Sequence, residues 1–158
     1  SPKEMGQIFI EAQQFKGTSL IEILQNCVIF NDGCFNHLTD KDVKEDKQIY
    51  LEHGKPMIFG KNRDKGLILK GLKLEVVTIG ENGITQEDLL VHNAKEKDPT
   101  LHYMLVRMEY PLATGVIRSF DDVTLEEREN ALTAEVKANS SFRKTDDLFF
   151  SGETYEVK

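Results

Sequence analysis

Met5, Ile8, Phe9, Ala12 and Phe15 recur at helical spacing, which predicts a helix over residues 3–16 with one apolar face. Gly17 supplies the stop. The β-rich run Thr18 to Leu24 then reads as a strand, so helix, glycine and strand form the second half of a βαβ unit whose first strand is missing. Residues 31–47 turn polar and end in the charged run Asp40 to Lys47, the pattern of a solvated loop or helix face. Two short apolar segments follow over residues 48–60, broken by Gly54 and Pro56.

A β-hairpin is expected next. Leu67, Ile68 and Leu69 precede Lys70-Gly71, and Leu72, Leu74 and Val76 alternate after it, with the glycine able to supply the positive φ of a tight turn. Thr85 and Asp88 fit a capping box that opens a short helix through Val91. Asp98 as N-cap and Pro99 at the first position open a better helix, with Leu101, Met104, Leu105 and Met108 on one stripe before Pro111. The methionines there read as core filling. Thr114 to Phe120 reads as a strand. A second capping box, Thr124 with Glu127, starts a mostly polar helix, and the tail carries Phe142, Leu148, Phe149, Phe150 and Tyr155, which suits packing on its own domain or on a partner subunit. The expected class is α/β: the helix-strand end of one α/β domain over 1–47, then an α+β region with a hairpin and an extended tail over 48–158.

Composition narrows the function. With 27 acidic and 20 basic side chains and a net charge of -7, a nucleic-acid partner is disfavoured, because that affinity comes mostly from neutralising phosphates. No apolar run approaches the ~20 residues of a membrane span, and no basic-then-apolar leader opens the chain, so a cytoplasmic protein without membrane contact is expected. The start at Ser1-Pro2, with Met5 already inside an amphipathic pattern, suggests a piece of a longer protein.

Two cysteines, Cys27 and Cys34, are too few for a secreted disulfide framework and read as reduced thiols or ligands. In open α/β sheets, sites gather at the carboxyl ends of strands, the position Cys27 takes after Thr18 to Leu24. Its thiolate could bind a soft metal or an iron-sulfur cluster, with Asn26 and backbone amides hydrogen-bonding cluster sulfurs; the other reading is an inert buried thiol. A zinc site from Cys27, Cys34, His37 and His53 is a further alternative, though the six-residue gap between the thiols is not the spacing of a zinc knuckle. His92 and His102 are expected in a loop and on the exposed side of a helix, without a role. Arg118 reads either as an edge-strand salt bridge or as a contact to another domain. The phosphate-binding glycine motifs and the nucleophile elbow are absent, so no complete active site is visible.

The stretch "FKGTSLIEILQNCVIFNDGCF", with "LEHGKPMIFGKNRDKGLILKGLKLEVV", "HYMLVRMEYPLATGVIRSF" and "LFFSGETYEV" after it in order, resembles the β subunit of 2-oxoacid:ferredoxin oxidoreductases. The "HGKPMIFG" passage leans toward the 2-oxoglutarate-type branch. The resemblance implies an enzyme that decarboxylates a 2-oxoacid and forms an acyl-CoA while reducing ferredoxin. It also implies thiamine diphosphate, Mg2+ and a 4Fe-4S cluster in the intact enzyme, and an α subunit as partner. The family's Cys-Pro-x-Cys element and its Gly-Asp-Gly to Asn thiamine motif do not occur in these residues. The expectation is therefore a C-terminal fragment, inactive alone and binding none of these cofactors, in which 1–47 is the end of the thiamine-diphosphate-binding domain. By the resemblance, Cys27 supplies the remaining cluster ligand, Cys34 is incidental, and Arg118 falls in register with a family arginine despite the inserted-looking Ala113-Thr114. The alternative is a non-catalytic binding or assembly module that docks on a larger redox partner.

Overall fold

A computed structural model describes residues 2–157, which divide into two units, one up to Asp121 and one from Asp122 onward. The first unit opens with α1 (Pro2–Gln14), where the apolar periodicity places a helix. None of its residues is buried.

The run after Gly17 departs from expectation. Residues 18–26 carry no regular secondary structure, and the predicted strand Thr18 to Leu24 does not form. A strand needs a neighbouring backbone for its N–H and C=O groups. No strand among the described residues pairs with this run, and Leu20, Ile23, Val28, Ile29 and Phe30 stand exposed. Two single-turn helices, α2 (Asn36–Thr39) and α3 (Lys44–Lys47), then occupy part of the polar stretch.

The core forms where two small sheets and one helix meet. β1 (Gln48–Leu51) pairs in parallel with β5 (Leu112–Gly115), and β2 (Ile58–Phe59), β3 (Lys65–Lys70) and β4 (Lys73–Thr78) form an antiparallel sheet in that order. The turn between β3 and β4 is Gly71-Leu72, one residue later than expected, since Lys70 pairs with Lys73. Gly71 takes φ +62, the left-handed region such a turn requires. Leu72 consequently stands at the hairpin tip in water.

Ile49, Leu51, Met57, Phe59 and Leu67 meet Leu105 of α4 (Thr100–Val106), with Leu101, Met108 and Ile117 packed around them. Fully burying side chains of this size contributes roughly 1.5–3 kcal/mol each. Backbone bonds from Met57 N to Leu90 O, Leu67 N to Met57 O and Leu90 N to Leu67 O tie the 89–91 segment to the sheet. The ion pair of Lys65 Nζ with Asp46 Oδ1 (2.8 Å) joins β3 to α3; partly exposed and screened by solvent, it contributes little to stability.

Three further expectations shift. The capping box of Thr85 and Asp88 forms, but it opens only a 3-10 turn, Gln86–Asp88, because Leu89 and Leu90 turn extended to join the core. α4 ends at Val106, and the Asp98 carboxylate accepts from Thr100 N (2.8 Å). β5 covers only the start of the predicted Thr114 to Phe120 strand, because β1, its partner, ends at Leu51 opposite Gly115.

The second unit holds α5 (Leu125–Asn139), opened by the Thr124–Glu127 capping box, and α6 (Thr145–Phe149). Phe149, Phe150, Tyr155 and Val157 are exposed. No helix among the described residues is long and apolar enough to cross a membrane.

Candidate functional site

The loop from Asn26 to Gly33 folds back on itself. Asn31 N donates to Cys27 O (3.0 Å), and the two residues form an isolated antiparallel bridge. The Asn26 carboxamide closes the loop from the other side: its Nδ2 donates to Asp32 Oδ1 (2.8 Å) and its Oδ1 accepts from Gly33 N (2.9 Å). Asn26 is thus engaged within its own loop, with one of its two Nδ2 hydrogens committed to Asp32.

Cys27 sits in this loop with its thiol exposed, so the reading as an inert core thiol does not hold. Backbone N–H groups of Phe30, then Ile29, then Asn31 hydrogen-bond the sulfur and hold its pKa below the usual thiol range. These donors favour the thiolate, which is the species that ligates iron. One soft ligand with N–H donors around it suits a single corner of an iron-sulfur cluster. Among the described residues no three His, Cys, Asp or Glu side chains converge to hold a metal ion. The zinc alternative built on Cys27, Cys34, His37 and His53 fails on the same ground.

The acidified thiol has a direct consequence. In a Cys34→Ser background, the alkylation rate of Cys27 by iodoacetamide is expected to rise with pH through a midpoint below that of the same chain unfolded in urea. Identical midpoints would mean that the loop amides do not act on the sulfur.

A second place in the first unit was missed by sequence reasoning. His92 and His102, expected in a loop and on the exposed side of a helix, are 1% and 4% exposed, with ring centroids 6.1 Å apart and planes at 82°. His92 Nε2 lies 2.9 Å from Val116 O and His102 Nε2 lies 3.0 Å from Asn93 O. Burial holds the pKa of His92 below the usual imidazole value; the hydrogen bond to Val116 O opposes this, and His102 and His53 nearby lower it further. One signal was available: His102 lies three residues before Leu105, hence on the same helical face as the apolar stripe.

Among the described residues Arg118 forms no edge-strand salt bridge. It lies beyond β5, donates from Nη2 to Lys97 O (3.1 Å), and sets its guanidinium 4.7 Å from the Phe120 ring centroid. With Phe15, Ile21, His102, Tyr103 and Phe120 it lines a cleft of about 650 Å3 between α1 and α4.

Among known proteins, the chain is 36% identical over 102 residues to the 2-oxoglutarate oxidoreductase subunit KorB of Mycobacterium tuberculosis (strain ATCC 25618 / H37Rv). The shared stretch is 65% of this chain and 26% of that protein, so the chain spans about a quarter of the relative's length. No family model and no solved structure matches the chain. Over this stretch the chain is similar to a 2-oxoglutarate oxidoreductase subunit, in keeping with the resemblance carried by its Lys-Gly-Thr-Ser, Gln-Asn-Cys and Phe-Asn-Asp elements.

Proposed function

We propose that the chain is part of the β subunit of an oxidoreductase that decarboxylates a 2-oxoacid, with 2-oxoglutarate as substrate, to an acyl-CoA while reducing ferredoxin. The observation that carries this reading is the identity shared with a 2-oxoglutarate oxidoreductase subunit. Cys27 is the residue assigned a direct role: its thiolate is one ligand of a 4Fe-4S cluster. Held there, the cluster would relay electrons singly from the oxidation to an external acceptor. The chain's own part is to present the sulfur in its anionic form. The amides of Phe30, Ile29 and Asn31 do this, within a loop closed by the Asn26 side chain. Thiamine diphosphate, Mg2+ and the other cluster ligands are assigned to polypeptide beyond these residues, because the motifs that hold them are not in this sequence.

A second reading, an assembly module, draws on the tail. Phe149, Phe150 and Tyr155 are 76%, 71% and 88% exposed, more aromatic surface than water favours. The two readings are compatible, since a β subunit must also meet an α subunit.

The test is turnover by the intact β polypeptide produced with its α subunit and loaded with cofactors. Ferredoxin reduction that requires both 2-oxoglutarate and coenzyme A is the expected result. Loaded complex that reduces ferredoxin with no 2-oxoacid overturns the assignment; reduction with a different 2-oxoacid overturns only the substrate.

A further inference from the structure

Beyond β5, the segment 116–119 is strapped to the 92–97 loop by three hydrogen bonds that cross between them. His92 Nε2 meets Val116 O at 2.9 Å, Ser119 N donates to Ala94 O at 2.8 Å, and Arg118 Nη2 donates to Lys97 O at 3.1 Å. The loop is itself pinned from below, with His102 Nε2 3.0 Å from Asn93 O. Segment 116–119 forms a wall of the cleft that α1 borders.

A carbonyl oxygen can only accept, so Nε2 is the donor in both rings, and in the neutral tautomer Nδ1 carries the lone pair. Both Nδ1 atoms are buried and without a partner. An added proton on His92 Nδ1 would sit as a buried N–H with no acceptor and out of reach of water. We propose that His92 is an acid-releasable pin: neutral, it holds the 116–119 segment in place as a wall of the cleft, and protonation frees the segment while the β-sheet core stays folded.

The charged and titratable surroundings favour this behaviour. His53, after β1, and His102, on α4, both oppose a charge on His92. Arg118 and Lys97 flank the strap with positive charge of their own. Glu96, the nearby carboxylate in the loop, is engaged by Asn93 Nδ2 (3.1 Å) and Lys97 N (2.9 Å). The sign follows from linkage. His92 titrates at lower pH when strapped than when released, so the strap is most stable above the free imidazole pKa of about 6.5 and weakens as pH falls below it. The inference stands on the geometry of this unit alone and does not depend on the assigned reaction.

Hydrogen exchange of the chain, corrected for the chemical effect of pH, reads the strap directly. Between pH 7.5 and 5.5 the Ser119 amide is expected to lose protection by on the order of threefold or more, while the Leu67 and Val77 amides of the hairpin keep theirs. His92→Gln, which keeps a side-chain N–H donor but cannot titrate, is expected to abolish that response. Should the variant fail to fold, the wild-type ring decides by NMR. A His92 midpoint below that of a free imidazole, with the Ser119 amide resonance moving at the same pH, supports the pin. A midpoint at or above the free value, a Ser119 signal indifferent to it, or an unchanged pH response in folded His92→Gln overturns it.

Discussion

Gly115→Ala is expected to destabilise the first unit by about 3 kcal/mol, lowering the melting temperature by roughly 10 °C. Two costs combine at this residue. Gly115 takes φ +90, a backbone conformation that residues with a Cβ rarely adopt. A Cβ built there would also meet Leu51 O at 2.6 Å and Leu51 N at 3.2 Å. Those atoms are backbone of β1, which is fixed by its parallel pairing to β5 and by burial of Ile49 and Leu51 in the core. No flexible side chain is available to yield, so the strands must separate or Gly115 must change conformation. Gly71→Ala supplies the comparison. Gly71 has φ +62 but open space around its Cβ position, so it carries strain alone and should cost only about 1 kcal/mol. Equal losses in thermal melts of the two variants would show that contact with Leu51 contributes nothing.

That contrast also marks what was legible in the sequence. Periodicity reports which side chains share a face, and it located α1 and the α4 stripe, whose Leu105 reaches the centre of the core. Gly71 revealed the hairpin to within one residue, because positive φ is a local requirement. Pairing is not local. Thr18 to Leu24 has the composition of a strand, but strand composition does not supply a partner backbone, and among the described residues none pairs with it. The close approach at Gly115 was illegible for the same reason, since Leu51 lies far away in sequence. Burial of His92 was equally hidden. It sits in a polar run, "VHNAKEKD", and is enclosed only because Val116 and His102 arrive from other elements. At the candidate site, the residue type of Cys27 was readable, whereas the amides that acidify it depend on a turn that the failed strand prediction gave no reason to expect.

Cys27→Ser in the intact, loaded enzyme is expected to reduce ferredoxin-linked turnover on the order of 100-fold, because even outer partners of metal ligands cost 10–100-fold when removed and this residue is assigned as a ligand itself. A serine oxygen keeps the size of the side chain but is a harder and far more weakly acidic donor, poorly matched to iron held by thiolates. The cluster's electron paramagnetic resonance signal and iron content should fall with turnover. Cys34→Ser is the control, and it should leave both within about twofold, since only Cys27 lies where the Gln-Asn-Cys resemblance assigns a ligand. The exposed position of Cys27 makes the comparison clean: substituting it in the 158-residue chain should leave the melting temperature essentially unchanged, so lost turnover cannot be traced to a damaged fold. An exposed thiol with a lowered pKa is also the form most prone to oxidation, which gives it little reason to persist as mere surface. Full cluster content and undiminished turnover in Cys27→Ser would withdraw this residue from the electron path, while leaving the similarity to a 2-oxoglutarate oxidoreductase subunit, which rests on the shared sequence, where it stands.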